Sequence, residues 1–393
     1  MRQDGEFAVG ETGQDHAAER DSALDGLRGL AVLMILLLHG FVPAPAGPLS
    51  RLLHNAFESM FIGVDLFFVL SGFLITSILM RTRRAQGYLR HFYWRRLLRI
   101  TPAYLLLVLA TCVVLPLLSA PPSAQALRGM LLPHLLYVQN LVAAANGPMP
   151  SELSHLWSLA IEEQFYLLWP MTVLLVPPRR LPQVCAGVFA ASCLAKLALY
   201  AGGASWLTLY VFTPCHVEGL AAGAWIASSR QLRGMAVVPR WLRLAGMAAA
   251  AALLCIALAA PQTKLFDRTQ VVLHTLLASI AFAWLLCALV SAPSGAALRR
   301  LFEWRPLRFL GRYSYGIYLI SWGLVLHLQF PLVRRLASYL PGDLASLCGG
   351  IAVTGLCILL AMLMFHAVEK PLLEFKERGP GRRASAAPVS ETP

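Results

Sequence analysis

Arg28 and His39 bracket the first apolar run of the chain, residues 24–39 (LDGLRGLAVLMILLLH), with ten residues between them. On a helix rising about 1.5 Å per residue the two side chains stand about 17 Å apart along the axis, roughly half the thickness of a bilayer core. A guanidinium at the membrane surface and an imidazole deep in the same span are both costly to bury, and mark a functional site by default. An imidazole near its ordinary pKa can take a proton from a hydroxyl. A neighbouring carboxylate can orient it and stabilise the imidazolium.

Two other runs offer such carboxylates. Asp65 lies in residues 63–72 (GVDLFFVLSG), and Glu162 and Glu163 lie in residues 155–166 (HLWSLAIEEQFY). If these runs enter from the side opposite the amino terminus, Asp65 and the glutamates lie about 9 Å into the core, and His39 about two-thirds of the way across from its own side. Depth therefore places His39, Asp65, Glu162 and Glu163 in one polar layer. His216 and Glu218, two apart, do not share a helical face and are weaker candidates. His274, His327, His366 and Lys196 read as satisfied core or interfacial residues. Trp157, Trp169 and Trp322 could contact a sugar ring, but an interfacial aromatic belt or helix packing is the stronger reading.

A third group is cationic. Residues 90–102 place Arg95 and Arg99 four apart on one helical face, flanked by aromatics. Guanidiniums at that spacing can clamp phosphates bidentately, and the same run would anchor on lipid headgroups. Spacing alone leaves both open.

The elements that must position these groups are membrane helices. Of 393 residues, 58% are hydrophobic and 13% charged, and the mean hydropathy of +0.63 exceeds what a soluble core requires. Apolar windows near 24–43, 59–80, 100–118, 156–177, 182–200, 206–228, 242–260, 269–291, 313–331 and 344–368 predict ten helices in one all-α bundle. With the amino terminus inside, the outer segments hold only Arg51, Arg128, Lys264, Arg268, Arg334 and Arg335. The other loop cations then fall inside, which places both termini in the cytosol.

Residues 126–145 are apolar but carry Arg128, Pro133, His134, Gln139 and Asn140. An additional span there would invert every later loop, so the segment reads as a lid or re-entrant stretch. The net charge of +13 sits in short loops, so topology explains it and a nucleic-acid partner is not expected. All eight cysteines lie in or beside apolar runs without a C-x-x-C pair, which supports neither disulfides nor a metal site. Residues 1–22 read as a disordered cytosolic tail without a cleavable signal, 23–371 as the transmembrane domain, and 372–393 as a basic cytosolic tail.

Several segments together resemble the acyltransferase family 3 of integral membrane O-acyltransferases. They are the Arg28-to-His39 run, residues 63–76, 92–102 (FYWRRLLRITP), 157–166, 314–319 (SYGIYL) and 369–371 (EKP), spread over nearly the whole chain. The resemblance implies a multi-pass enzyme of the bacterial inner membrane. It would move an acyl group, usually acetyl, from cytosolic acyl-coenzyme A to a hydroxyl of a carbohydrate or lipid-linked glycan, with no bound cofactor. On this sequence it implies Arg28 and His39 as the essential pair, Glu163 as a catalytic partner and Arg95 and Arg99 as donor contacts. The residues read on their own add Asp65 to the catalytic candidates and offer Trp157 and Glu162 as acceptor contacts. One departure stands out: members commonly carry a histidine shortly after the Tyr-x-Leu of the ninth helix, where this chain has Ser321. The soluble esterase-like domain of some relatives is not expected here, so acceptor presentation is expected from the bundle and its loops. A rival reading is a glycan transporter, although neither inverted repeats nor paired broken helices stand out.

Overall fold

A computed structural model describes residues 21–41, 48–118, 120–235, 237–259 and 267–377. Most of both expected tails, residues 1–20 and 378–393, lies outside the described residues. Among the described residues there are helices and no strands. In chain order they are α1 (Ser22–Gly40), α2 (Pro48–Glu58), α3 (Gly63–Thr82), α4 (Tyr88–Leu109), α5 (Pro121–Gly129), α6 (Leu131–Leu135), α7 (Gln139–Asn146), α8 (Trp157–Leu175) and α9 (Leu181–Ala201). There follow α10 (Trp206–Val211), α11 (Glu218–Arg233), α12 (Arg240–Ala259), α13 (Arg268–Ser291), α14 (Ala297–Phe302), α15 (Arg305–Leu324), α16 (Phe330–Leu336), α17 (Gly342–Met364) and α18 (Lys370–Glu377).

Eight of the described helical stretches are long and apolar enough to cross a membrane. Two of the ten expected windows fall outside that set. Helix α8 carries Glu162, Glu163 and Gln164 in its middle. The window at 206–228 is broken: α10 ends at Val211, a 3-10 turn runs over Thr213–Cys215, and α11 begins at Glu218. Pro214 sits inside that turn, and the residue before a proline is disfavoured in helix. Three of the spans contain a π turn, at Ala110–Val114, Val325–Gln329 and Phe365–Glu369.

Packing sorts the helices into a buried set and a covering set. Helices α1, α3 and α13 are mostly enclosed by protein, whereas few residues of α9, α12 and α17 are buried. Glycine permits the closest approaches. A Cβ on Gly29 would lie 1.8 Å from the Leu307 carbonyl oxygen, and one on Gly311 would lie 1.8 Å from that of Asp25. Backbone of α1 thus lies directly on backbone of α15. Gly223 does the same for α11 against α3, where a Cβ would sit 1.9 Å from the Val69 oxygen, and Gly219, the other end of the small-xxx-small pattern, would bring a Cβ to 3.1 Å from that of Phe68.

Residues 126–145 do not form a span. They lie in the short helices α5, α6 and α7, none long enough to cross a bilayer. Their backbone polar groups are satisfied by neighbours: Tyr104 donates to the His134 carbonyl (3.0 Å), and Gln164 donates to the Tyr137 carbonyl (2.7 Å). Gln139 and Asn140 donate to the carbonyls of Leu156 (2.9 Å) and Val211 (3.0 Å). This is irregular backbone tolerated because it packs on protein.

Candidate active site

Helix α1 carries Arg28 near its start and His39 in its last turn, and its contact with α15 brings His39 to Ser321. The His39 Nδ1 and Ser321 Oγ are 3.1 Å apart, and the imidazole packs on the Trp322 ring with centroids 4.9 Å apart. Gln329, in the π turn that follows, donates to the Gly40 carbonyl at 2.8 Å and closes the end of α1. His39 opens into a cavity of about 670 Å³ whose walls include His155, Trp157, Tyr210, Tyr318 and Trp322. Ala143 and Met149, from and just after α7, close one side of it.

Tyr318 forms part of the floor. Its hydroxyl donates to the His155 carbonyl (2.6 Å) and pairs with Ser158 Oγ (2.6 Å), which ties α15 to the start of α8. The His155 ring in turn donates from Nε2 to the Leu319 carbonyl at 3.0 Å. On the other side of Tyr318 and Val64 lies a smaller cavity of about 180 Å³, lined by Arg28, Ser71, Arg96, Arg99, Glu162 and Tyr166. Ser71 and Tyr166 share a hydrogen bond. The Arg96 guanidinium lies over the Tyr166 ring at 4.4 Å, and Arg28 is held by Asp25 at 2.8 Å.

Arg99 also reaches two wider clefts. One, of about 480 Å³, is lined by Arg81, Arg95, Arg96 and Arg99. The other, of about 630 Å³, is lined by Arg28, Arg81, Arg99 and Arg230 together with Asp21 and Asp25. A row of spaces thus runs from a guanidinium-rich end, past Glu162 and Tyr318, to the imidazole of His39. Cationic clefts suit a polyanionic ligand. An imidazole in an aromatic chamber suits proton transfer at a hydroxyl carried by a ring.

The expected polar layer is only partly assembled. Arg95 and Arg99 share a cleft, Arg28 and Glu162 share a cavity, and Trp157 lines the chamber of His39. Asp65, Glu162 and Glu163 do not line that chamber. Asp65 instead pairs with His216 (Oδ1 to Nε2, 3.1 Å), both fully buried behind Phe68 and Trp157. The physical reason is azimuth: residues at one depth on different helices need not point at one another. Glu163 does not line the arginine cavity, and its Oε1 has no hydrogen-bond partner among the described residues.

Among the weaker candidates Lys196, Glu218 and His274 are core groups, whereas His366 is exposed. Lys196 and Glu218 form a buried ion pair completed by Ser192 and Thr275. His274 and His366 bond to the carbonyls four residues before them. Trp169 donates to Thr76 at 2.8 Å inside the bundle, away from the chamber of His39.

Sequence reasoning passed over His155, Arg96 and Tyr318 as individual residues, although each lies inside a run already singled out. Arg96 sits between the two arginines that were chosen by spacing. Its ring partner, Tyr166, comes from α8 and is not announced by any periodicity in residues 90–102.

The sequence profile of the acyltransferase domain family, acyltransferase family 3, matches residues 21–366. Among curated proteins the chain is similar to the peptidoglycan O-acetyltransferase OatA of Listeria monocytogenes, with 30% identity over 369 residues, covering 89% of this chain and 55% of that protein. It is 32% identical over 366 residues to the putative peptidoglycan O-acetyltransferase YrhL of Bacillus subtilis, covering 89% and 54%. The O-acetyltransferase OatA of Staphylococcus aureus is 28% identical over 372 residues, covering 89% and 56%. The chain therefore spans about half the length of the curated relatives it matches. No solved structure matches it. The order of the motifs, the Arg28-to-His39 helix at the centre of the bundle and the match over residues 21–366 lead to one assignment: the chain belongs to the acyltransferase domain family, acyltransferase family 3.

Proposed function

We propose that this protein is a multi-pass membrane O-acetyltransferase of the bacterial inner membrane that moves an acetyl group from acetyl-coenzyme A to a hydroxyl of a cell-wall carbohydrate. The observation that carries the reading is the row of cavities joining an arginine-rich end to His39 through Tyr318. The relatives named above, peptidoglycan O-acetyltransferases, supply the acceptor class.

In this reading the bundle of residues 23–371 crosses the membrane ten times, with α8 and α11 as shielded inner members and both termini cytosolic. The donor's phosphates rest on Arg95 and Arg99, aided by Arg28 and Arg96, and its acyl arm passes Glu162 toward Tyr318. His39 takes the proton of the acceptor hydroxyl as that oxygen attacks the thioester carbonyl, and the coenzyme thiolate leaves toward the arginines. Alternatively the imidazole carries the acetyl group before passing it on. Trp157 and Trp322 would flank a sugar ring. Of the two glutamates, Glu162 has the better placement to act on the donor. Asp65 acts at a distance, through His216.

The test uses membranes carrying the full chain, acetyl-labelled acetyl-coenzyme A and muropeptide mass spectrometry of cells with and without the gene. The wild type adds acetyl to the cell-wall glycan. His39→Ala abolishes the label at unchanged membrane abundance. Label retained by His39→Ala, or absent from the wild type, overturns the reading.

A further inference from the structure

The contact between His39 and Ser321 decides which ring nitrogen can do chemistry. Ser321 is buried in α15, and its hydroxyl has one proton to give. Two acceptors compete for that proton: the carbonyl of Tyr318 three residues back, at 3.3 Å, and Nδ1 of His39, at 3.1 Å. A serine inside a helix commonly gives its proton to the carbonyl of the preceding turn. Once it does, the oxygen can only accept, so Nδ1 must carry a hydrogen and donate it. The lone pair then sits on Nε2, the nitrogen on the other edge of the ring that opens into the aromatic chamber.

We propose that Ser321 is a positioning residue that fixes His39 as the Nδ1–H tautomer and so makes Nε2 the base. The inference rests on the acyl-transfer reading above and adds a role for a residue that does not touch the substrate. When Nε2 takes the acceptor's proton, the imidazolium keeps its Nδ1–H on Ser321, and no second proton has to move. A serine in that place cannot itself take on charge, so it orients the ring without competing for the proton. The Trp322 ring packed on the imidazole and the Gln329 bond to the Gly40 carbonyl restrain the rest of the histidine's freedom.

The test compares wild type, Ser321→Ala, Ser321→Thr and His39→Ala in membranes supplied with labelled acetyl-coenzyme A and peptidoglycan fragments. Ser321→Ala should lower kcat about tenfold, equivalent to about 1.4 kcal/mol in the barrier, with KM for acetyl-coenzyme A unchanged. Ser321→Thr, which keeps the hydroxyl, should return kcat to within about threefold of the wild type. A merely structural role would lower membrane abundance or shift KM and kcat together. Wild-type kcat in Ser321→Ala, or equal loss in the Ala and Thr variants at normal abundance, overturns the proposal. An active wild type with a dead His39→Ala isolates that failure from the parent reading; an inactive wild type removes both.

Discussion

Two neighbouring glutamates illustrate what a single side chain contributes. Glu162 and Glu163 are about 100° apart around α8, so packing can direct one into the arginine cavity and the other away from it. Only Glu162 shares that space with Arg28, Arg96 and Arg99. Glu162→Gln should therefore lower kcat by about 100-fold, within the usual range for a group that moves or steers a proton. Glu163→Gln should stay within about threefold of the wild type. Steady-state rates with labelled acetyl-coenzyme A separate the two. A larger effect at Glu163 would show that a rearranged α8, rather than the one described, is the active form. The adjacent pair was visible in the sequence, but its division of labour was not, because two adjacent acids read alike until Tyr166, Arg96 and Ser71 arrive from other helices. The same holds for Asp65: an acid inside an apolar run was legible, whereas its pairing with His216 depended on how α3 and α11 turn toward each other.

Between elements, the contact of α1 with α15 positions the chemistry, and it is made of glycine. Gly29 and Gly311 allow backbone to meet backbone, so the Arg28-to-His39 helix is held at a fixed height against Ser314 to Ser321. Gly29→Ala would place a methyl group 1.8 Å from the Leu307 oxygen, and backbone cannot move aside as a flexible side chain can. Overpacking of that kind costs about 1–3 kcal/mol. The variant should melt at a lower temperature in detergent, followed by fluorescence-detected size exclusion, and should lose activity as His39 moves from Ser321. Gly187→Ala is the matched control, since nothing lies within 4 Å of a Cβ there, and it should be neutral or slightly stabilising. Equal melting temperatures for Gly29→Ala and the wild type would mean that the two helices are not in the described contact. Helix existence was largely legible from apolar windows. The break at Pro214 and the π turns were not, since hydropathy averages composition over a window and does not register backbone geometry.

For the whole molecule the consequence is polarity. Cations crowd one end of the row of cavities, and the aromatic chamber of His39 occupies the other. In the proposed orientation, drawn from the charge distribution among the loops, the arginine end faces the cytosol. Acetyl-coenzyme A is highly charged and does not cross a bilayer unaided, since each charge buried in hydrocarbon is costly. Sealed inverted vesicles, with the cytosolic face outward, should therefore consume added acetyl-coenzyme A and acetylate a glycan supplied in the lumen. Sealed right-side-out vesicles should be inert to the same addition until they are permeabilised. Arg99→Gln removes a cation common to the two clefts and the inner cavity, and should raise KM for acetyl-coenzyme A about tenfold in inverted vesicles. Activity of intact right-side-out vesicles toward external acetyl-coenzyme A would reverse the orientation, and with it the direction in which the acetyl group travels past Tyr318.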